Sequence, residues 1–343
     1  MAYTTIKKPS DYFNTVLYTG NGSTNAITGV GFAPDLTLLK DRNDTSGTRS
    51  YDTVRGAIKR IRTDTNEAEV DDSDGLTAFG SDGFTLGADG ATNGNSTLYV
   101  SWNWLGANGT ASNTDGSITS TVSANTTNGF SICTFTPSGS GDQSFGHGLG
   151  ATPKVVITKA RTSTSGWNFY HENSYATTPE DYYLSLNATD GITNLSGVWG
   201  AGMTSSVAGV GVGVGVTAGL DYVAYCFAEV KGFSKFGSYV GNGSTDGTFI
   251  YCGFKPAWVM VKRTGAESWG IIDNKRQIYN PNNTRLFANL TAVEDTSELG
   301  IDLLSNGFKI RNSWSGNNAS GNSYIYMAFA EEPLVGDNPA TAR

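Results

Sequence analysis

The sequence is short of charge, of cysteine and histidine, and of long apolar runs. Charged residues make up 16% of the 343 and hydrophobic ones 38%, against roughly 25% and 45–50% in ordinary soluble domains. The three cysteines, Cys133, Cys226 and Cys252, form no Cys-x-x-Cys pair, and the two histidines, His147 and His171, complete no zinc-ligand spacing. A disulfide scaffold needs more cysteine than this, so free buried thiols are expected, with one buried pair as the alternative. No run reaches the roughly 18 apolar residues of a membrane span. Met1 to Tyr12 is polar, with Lys7, Lys8 and Pro9, and lacks the apolar core of a secretory signal. Membrane insertion is therefore not expected, and the chain reads as made in a cytoplasm and soluble there. A basic face is missing too. The net charge is −8, and basic clusters such as Lys59-Arg60-Ile61-Arg62 are short, are followed by Asp and Glu, and read as solvated faces, so nucleic acid is not an expected partner.

What the chain has in excess is glycine, 44 residues, well above the usual share of about 7%. Ser, Thr and Asn are plentiful, and aromatic residues reach 11%. Many short strands joined by polar turns give this profile. The aromatic rings can form cores that a disordered chain would lack.

Three landmarks recur in the same order. The first is an aromatic strand end running into a turn: Tyr18-Thr19-Gly20-Asn21-Gly22-Ser23, Phe135-Thr136-Pro137-Ser138-Gly139-Ser140 and Tyr239-Val240-Gly241-Asn242-Gly243-Ser244. Asn-Gly predicts a hairpin, because both central residues of its turn need positive φ. The second is a glycine, then a proline, then an apolar run ending in lysine, with proline and lysine at Pro34 and Lys40, Pro153 and Lys159, and Pro256 and Lys262. Proline suits the first residue of a strand, and the near-continuous apolar run predicts a strand covered on both faces. The third is an aromatic closing strand beginning at Tyr99, Tyr222 and Tyr324.

Units of about a hundred residues exceed propeller blades and solenoid repeats, which run about 20–50; they suit small β-sandwiches or jelly rolls. The expected organisation is all-β: a polar segment over 1–12, β-sandwich units over 13–105, 127–231 and 232–333, a Gly/Ser/Thr-rich linker over 106–126 and a tail over 334–343. Thr53 to Arg62 and Asp273 to Tyr279 read as short helical turns.

Candidate chemistry is sparse. His147, flanked by Gly146 and Gly148, sits where the first copy has Gly29-Val30-Gly31 and reads as a turn residue, while His171 reads as part of a strand. Glu67, Glu69, Asp71, Asp72 and Asp74 form the densest acidic patch. Paired carboxylates are what a glycosidase needs, and Asp71, Asp72 and Asp74 would offer calcium hard oxygen ligands. The full calcium-loop pattern is absent, however, and the spacing is that of a solvated loop ended by Gly75. The alternating Gly209 to Gly215 stretch lacks the helix a phosphate loop requires; its bare face predicts close packing by another sheet or another subunit. Trp102, Trp104, Trp167, Trp258 and Trp269 fall at strand positions and read as core. Trp199 and Trp314 lie in Gly/Ser/Asn-rich surroundings and are the candidate exposed platforms for a glycan. No catalytic residue and no cofactor is expected.

The Gly-Phe-x-Pro landmark, Ser81-Asp82-Gly83-Phe84-Thr85-Leu86-Gly87, the stretch from Thr114 to Val122, Gly146-His147-Gly148-Leu149-Gly150 and Tyr324 to Glu331 resemble a family of repeat-bearing structural proteins of marine tailed bacteriophages, over nearly the whole chain. The resemblance implies a virion component without catalytic activity, made in the host bacterial cytoplasm: a tail fibre or tail-associated receptor-binding protein, or else a capsid decoration or head-fibre protein. A polysaccharide depolymerase acting through the acidic loop is the enzymatic alternative. The partners implied are other virion proteins, further copies of the chain (a trimer, by analogy) and a host-surface glycan or protein. That family's function being unknown, no site residue is carried over from it.

Overall fold

The computed structural model describes residues 4–297 and 300–340. Nearly all of the regular structure is β. Strands β1 (Phe13–Thr19), β2 (Asn25–Thr28), β3 (Leu36–Asp41), β4 (Arg49–Asp52), β5 (Gly56–Arg62), β6 (Val70–Asp71), β7 (Leu76–Gly80), β8 (Gly83–Leu86) and β9 (Leu98–Trp104) build a large sheet, β1-β9-β3-β4-β5-β6, and a small one, β2-β8-β7. Next come β10 (Ala111–Asn113), β11 (Ser120–Asn125), β12 (Phe130–Phe135), β13 (Gly141–Gly146), β14 (Val155–Ala160), β15 (Trp167–His171), β16 (Tyr182–Ser185), β17 (Thr193–Asn194), β18 (Val207–Val212) and β19 (Tyr222–Phe227). They form β10-β11-β12-β19-β14-β15-β16-β17 and β13-β18. The last group is β20 (Ser234–Val240), β21 (Phe249–Tyr251), β22 (Phe254–Arg263), β23 (Gly270–Asp273), β24 (Leu286–Phe287), β25 (Ile301–Leu304), β26 (Gly307–Ile310) and β27 (Ser323–Pro333). These form β20-β27-β22-β23-β24 and β21-β26-β25. Each large sheet thus contains one antiparallel order: an opening strand (β1, β12, β20), the aromatic closing strand (β9, β19, β27), the proline-landmark strand (β3, β14, β22) and its hairpin partner (β4, β15, β23).

The apolar runs are continuous because both faces of these strands are covered. In β19, Val223, Tyr225 and Phe227 point one way and Tyr222, Ala224 and Cys226 the other. In β27, Ile325, Met327 and Phe329 alternate likewise with Tyr324, Tyr326 and Ala328. One face of each large sheet packs on its own small sheet. The opposite faces of all three meet in one core, with Phe13 and Trp104 from the first, Phe130 and Phe227 from the second, and Phe236, Trp258 and Phe329 from the third. The three sheet pairs are therefore joined by a shared interior rather than strung out along the chain.

Several local expectations are corrected. The Asn-Gly turns are not hairpins: β1 pairs with β9 while β2 pairs with β8, so the turn hands the chain from one sheet to the other. A buried asparagine holds it instead of a ladder. Asn93 Oδ1 accepts from Asn21 N at 3.0 Å and its Nδ2 donates to Asn21 Oδ1 at 3.1 Å; Asn318 and Asn242 repeat the arrangement at 3.0 Å each. Residues 106–126 are not only a linker, since they carry β10 and β11, which extend the second large sheet beyond β12. Residues 53–62 are not helical. Asp52 Oδ1 accepts from Arg55 N at 2.8 Å, one turn forms, and Gly56 at φ 108° reverses the chain into β5, a backbone region open to glycine. Asp273 binds the N–H groups of Lys275 and Arg276 in the same way after β23.

The lysine closing each proline landmark is buried and bound by backbone carbonyls. Lys40 donates to Ser46 and to Leu290 (3.2 Å), Lys159 to Ser165 (2.8 Å) and Asn66 (3.2 Å), and Lys262 to Arg263 (2.6 Å) and Gly265 (2.8 Å). Burial pushes Lys159 and Lys262 down to about 8. Lys40 and Lys159 each also reach a carbonyl of a different sheet pair, which ties hairpin loops across the junctions.

Candidate functional site

The acidic patch and the basic cluster pair with each other, while Glu67, Asp71 and Asp74 stay exposed as a solvated loop would have them. β5 and β6 pair with Lys59 opposite Asp71, and these two side chains form an ion pair. Asp72 accepts from Tyr51 Oη at 2.7 Å and lies 3.1 Å from Arg60 Nε, and Glu67 lies 3.8 Å from Arg62. Asp74 is exposed, and its backbone carbonyl binds Asp89 N at 2.9 Å. The three aspartates proposed for calcium are not brought together: among the described residues no group of three His, Cys, Asp or Glu could hold a metal ion. Glu69 takes Arg161 at 2.9 and 3.0 Å and Arg55 at 3.1 Å. Burial pushes its carboxyl up, but the two guanidinium groups outweigh that and hold it below its ordinary value.

Neither candidate tryptophan offers a free platform. Trp199 is 1% exposed, packed edge-on against Tyr170 with its Nε1 donating to Tyr182 O at 3.0 Å. Trp314 is half-buried, and the Arg285 guanidinium lies 3.8 Å from its ring centre. Glycine-rich surroundings suggested exposure for both. In fact the Trp199 ring packs into the core behind the second large sheet, and Arg285 covers one face of Trp314. The Val/Gly strand is covered as well, though by this chain's own loop. A Cβ on Gly209, Gly211 or Gly215 would collide with the carbonyls of Trp199, Gly197 or Val198, and Gly209 N and Gly211 N donate to Gly202 O (2.8 Å) and Val198 O (3.1 Å). The bare face admits the 197–202 turn against the strand. All three cysteines are buried and free.

A ring of buried polar contacts at the junctions had no reading in the sequence. It begins at the last residue of β4, β15 and β23. Asp52 accepts from Tyr225 Oη at 2.7 Å, His171 Nε2 meets Tyr326 O at 3.2 Å, and Asp273 accepts from Trp102 Nε1 at 3.0 Å. Each joins one sheet pair to the closing strand of the next, in cyclic order. The signal was Asp52-x-x-Arg55 and Asp273-x-x-Arg276, with His171 and Ser174 at those places in between. Both arginines are buried against their aspartates. Burial alone would raise Asp273, but the Arg276 charge and its hydrogen bonds hold it below its ordinary value.

His171 stands in for this ion pair without a charge. Its Nδ1 accepts from Asn173 N at 3.0 Å, which leaves Nε2–H to donate to Tyr326 O. His147 is arranged similarly, accepting from Leu149 N and facing Thr204 O, both at 3.2 Å. Burial lowers the His171 pKa from 6.5 to about 4. An unfolded imidazole therefore takes up a proton that the folded one refuses, so stability is lost as pH falls through this window. The loss expected from His171 between pH 6.5 and 4 is roughly 3 kcal/mol. Urea titrations of the wild type and His171→Gln across that range measure it; equal pH slopes would remove the assignment.

At the second-to-third junction the chain also builds an open cleft. β4 ends at Asp52 and β5 starts at Gly56, but β15 ends at His171 and β16 starts only at Tyr182. The longer connection faces the end of the third large sheet across a cleft of about 1000 Å³. Tyr175 stands on its wall, 43% exposed, stacked on Tyr182 at 3.9 Å and 16°. Opposite are Ser238, Val240, Thr264 and Ser323. Sequence reasoning passed over Tyr175; the unequal connection lengths in the first and second sheet pairs were the available signal.

A family model described as a domain of unknown function, DUF7483, matches residues 8–333. No curated protein and no solved structure matches the chain.

Proposed function

Since the chain belongs to the DUF7483 family, a domain of unknown function, we propose from the molecule itself that it is a non-catalytic structural protein of a tailed-bacteriophage virion, a tail fibre or tail-associated receptor-binding protein. The observation that carries this reading is the shared core. We read the three sheet pairs as three copies of one unit, and their large sheets meet in a single interior. That construction holds the connecting loops outward on a rigid scaffold, which suits adhesion. It also gives one chain the threefold build that such proteins reach as trimers by analogy. A depolymerase is disfavoured, because Lys59, Arg60, Arg161 and Arg55 engage the carboxylates it would need.

The threefold build also fits a threefold platform, so the second reading is a decoration or head-fibre protein on the capsid shell. Immunogold labelling of virions separates the two. Gold on the tail is the expected result, and head-only labelling would replace the first reading with the second.

A further inference from the structure

We propose that the cleft between residues 172–181 and the third large sheet binds a neutral oligosaccharide. The inference rests on the adhesion reading, to which it adds a place and a ligand class.

The size comes first. Ligand pockets run roughly 300–1,000 Å³, and about 1000 Å³ leaves room for several sugar rings. The apolar surface comes next. Tyr175 and Val240 are 43% and 56% exposed, and neither belongs to a hydrophobic core. Their exposure does nothing for folding. The stack on Tyr182 fixes the orientation of the Tyr175 ring before any ligand arrives, which lowers the ordering cost of binding. A tyrosine of this kind presents an apolar body and a polar tip, matching the C–H face and hydroxyl rim of a pyranose.

Charge then selects among ligands. The polar lining is hydroxyl and carboxamide, with Ser238, Thr264 and Ser323 on one wall and Asn173 and Thr177 on the other. Among the described residues, no lysine or arginine lines the cleft. The one carboxylate among the described lining residues, Glu172, is paired with Lys154. A phosphate, uronate or sialylated ligand would meet no counter-charge, and a lipid tail would strand the hydroxyls unpaired. A neutral ligand rich in hydroxyl groups satisfies both walls.

The longer connection is also where the second copy departs from the first. Asp52 and Arg55 close a single turn into β5, whereas His171 and Ser174 leave the chain to run on to Tyr182. The departure builds the wall on which Tyr175 sits.

The test is a glycan array carrying neutral and acidic oligosaccharides, probed with the full chain and with Tyr175→Ala and Ser238→Trp. Expected are retention of neutral hexose or N-acetylhexosamine glycans, a loss of about tenfold in affinity for Tyr175→Ala and a block by Ser238→Trp, with melting temperatures unchanged because both sites are outside the cores. Neutral-glycan binding that survives both substitutions would overturn the cleft assignment. Binding confined to acidic glycans would overturn the ligand class. Silence on the array from a protein that still adheres to host cells would overturn the proposal and leave the adhesion reading standing; loss of cell adhesion as well would remove that reading too.

Discussion

Arg55→Ala is expected to destabilise the fold by about 3–5 kcal/mol, the range for removing one partner of a buried ion pair. Both side chains of the pair are fully buried. Besides Asp52, the guanidinium serves Lys59 O (2.8 Å), Ser50 O (3.1 Å), Glu69 (3.1 Å) and Tyr225 Oη (3.3 Å). Alanine would leave the Asp52 carboxylate with only the Tyr225 hydroxyl and the backbone N–H of residue 55, its charge unpaired, and would take a donor from two backbone carbonyls. It would also loosen the first junction of the ring, because Tyr225 belongs to the closing strand of the second sheet pair. By contrast, Lys59→Ala removes a partly exposed pair and should cost about 0–1 kcal/mol. Urea titration measures both. The double variant Asp52→Ala/Arg55→Ala is expected to be more stable than Arg55→Ala alone, since no charge is then left unpaired. If the double variant gained nothing, the loss would lie in packing and carbonyl pairing rather than in a stranded charge.

The sequence made the all-β class legible because it is written locally. Alternating glycine and valine, apolar runs after proline and aromatic strand ends each specify a strand within a few residues. It could not say which face of β19 or β27 meets the common core, because both faces are apolar and period two carries no label for inside. Charge pairing was equally hidden. Lys59 opposite Asp71, and Glu69 held by Arg161, depend on where β5, β6 and the second sheet pair lie; along the chain the same residues look like two solvated runs. Composition misled at Trp199, where glycine-rich neighbours signalled an open loop, yet the ring packs edge-on against Tyr170 in the core behind the second large sheet. The candidate cleft failed to show for a different reason. Tyr175 is unremarkable by itself, and becomes informative only when the connection after His171 is measured against the one after Asp52 and the facing wall is known.

Trp104→Ala is expected to cost about 3–5 kcal/mol, and its effect should reach the whole chain at once. The Trp104 ring is 2% exposed. It lies 4.9 Å from Phe13 in its own sheet, 6.4 Å from Phe227 in the second, and 5.8 and 5.6 Å from Trp258 and Phe329 in the third. No single sheet pair owns the cavity that alanine would leave, so no single sheet pair can relax to fill it. Urea unfolding followed by circular dichroism and by tryptophan fluorescence should give coincident single transitions in the wild type, and Trp104→Ala should shift both midpoints together. Trp104→Phe should cost less, because the buried Nε1 has no hydrogen-bond partner among the described residues. Two or more separated transitions, with Trp104→Ala moving only the first, would mean that the sheet pairs are stable apart and that the common core is a contact between independent domains. A single transition would tie the outward loops, Tyr175's among them, to one cooperative interior. A loop displayed on such a body keeps its bound geometry when it is free, and that is the physical advantage a sharing of cores gives to a surface used for recognition.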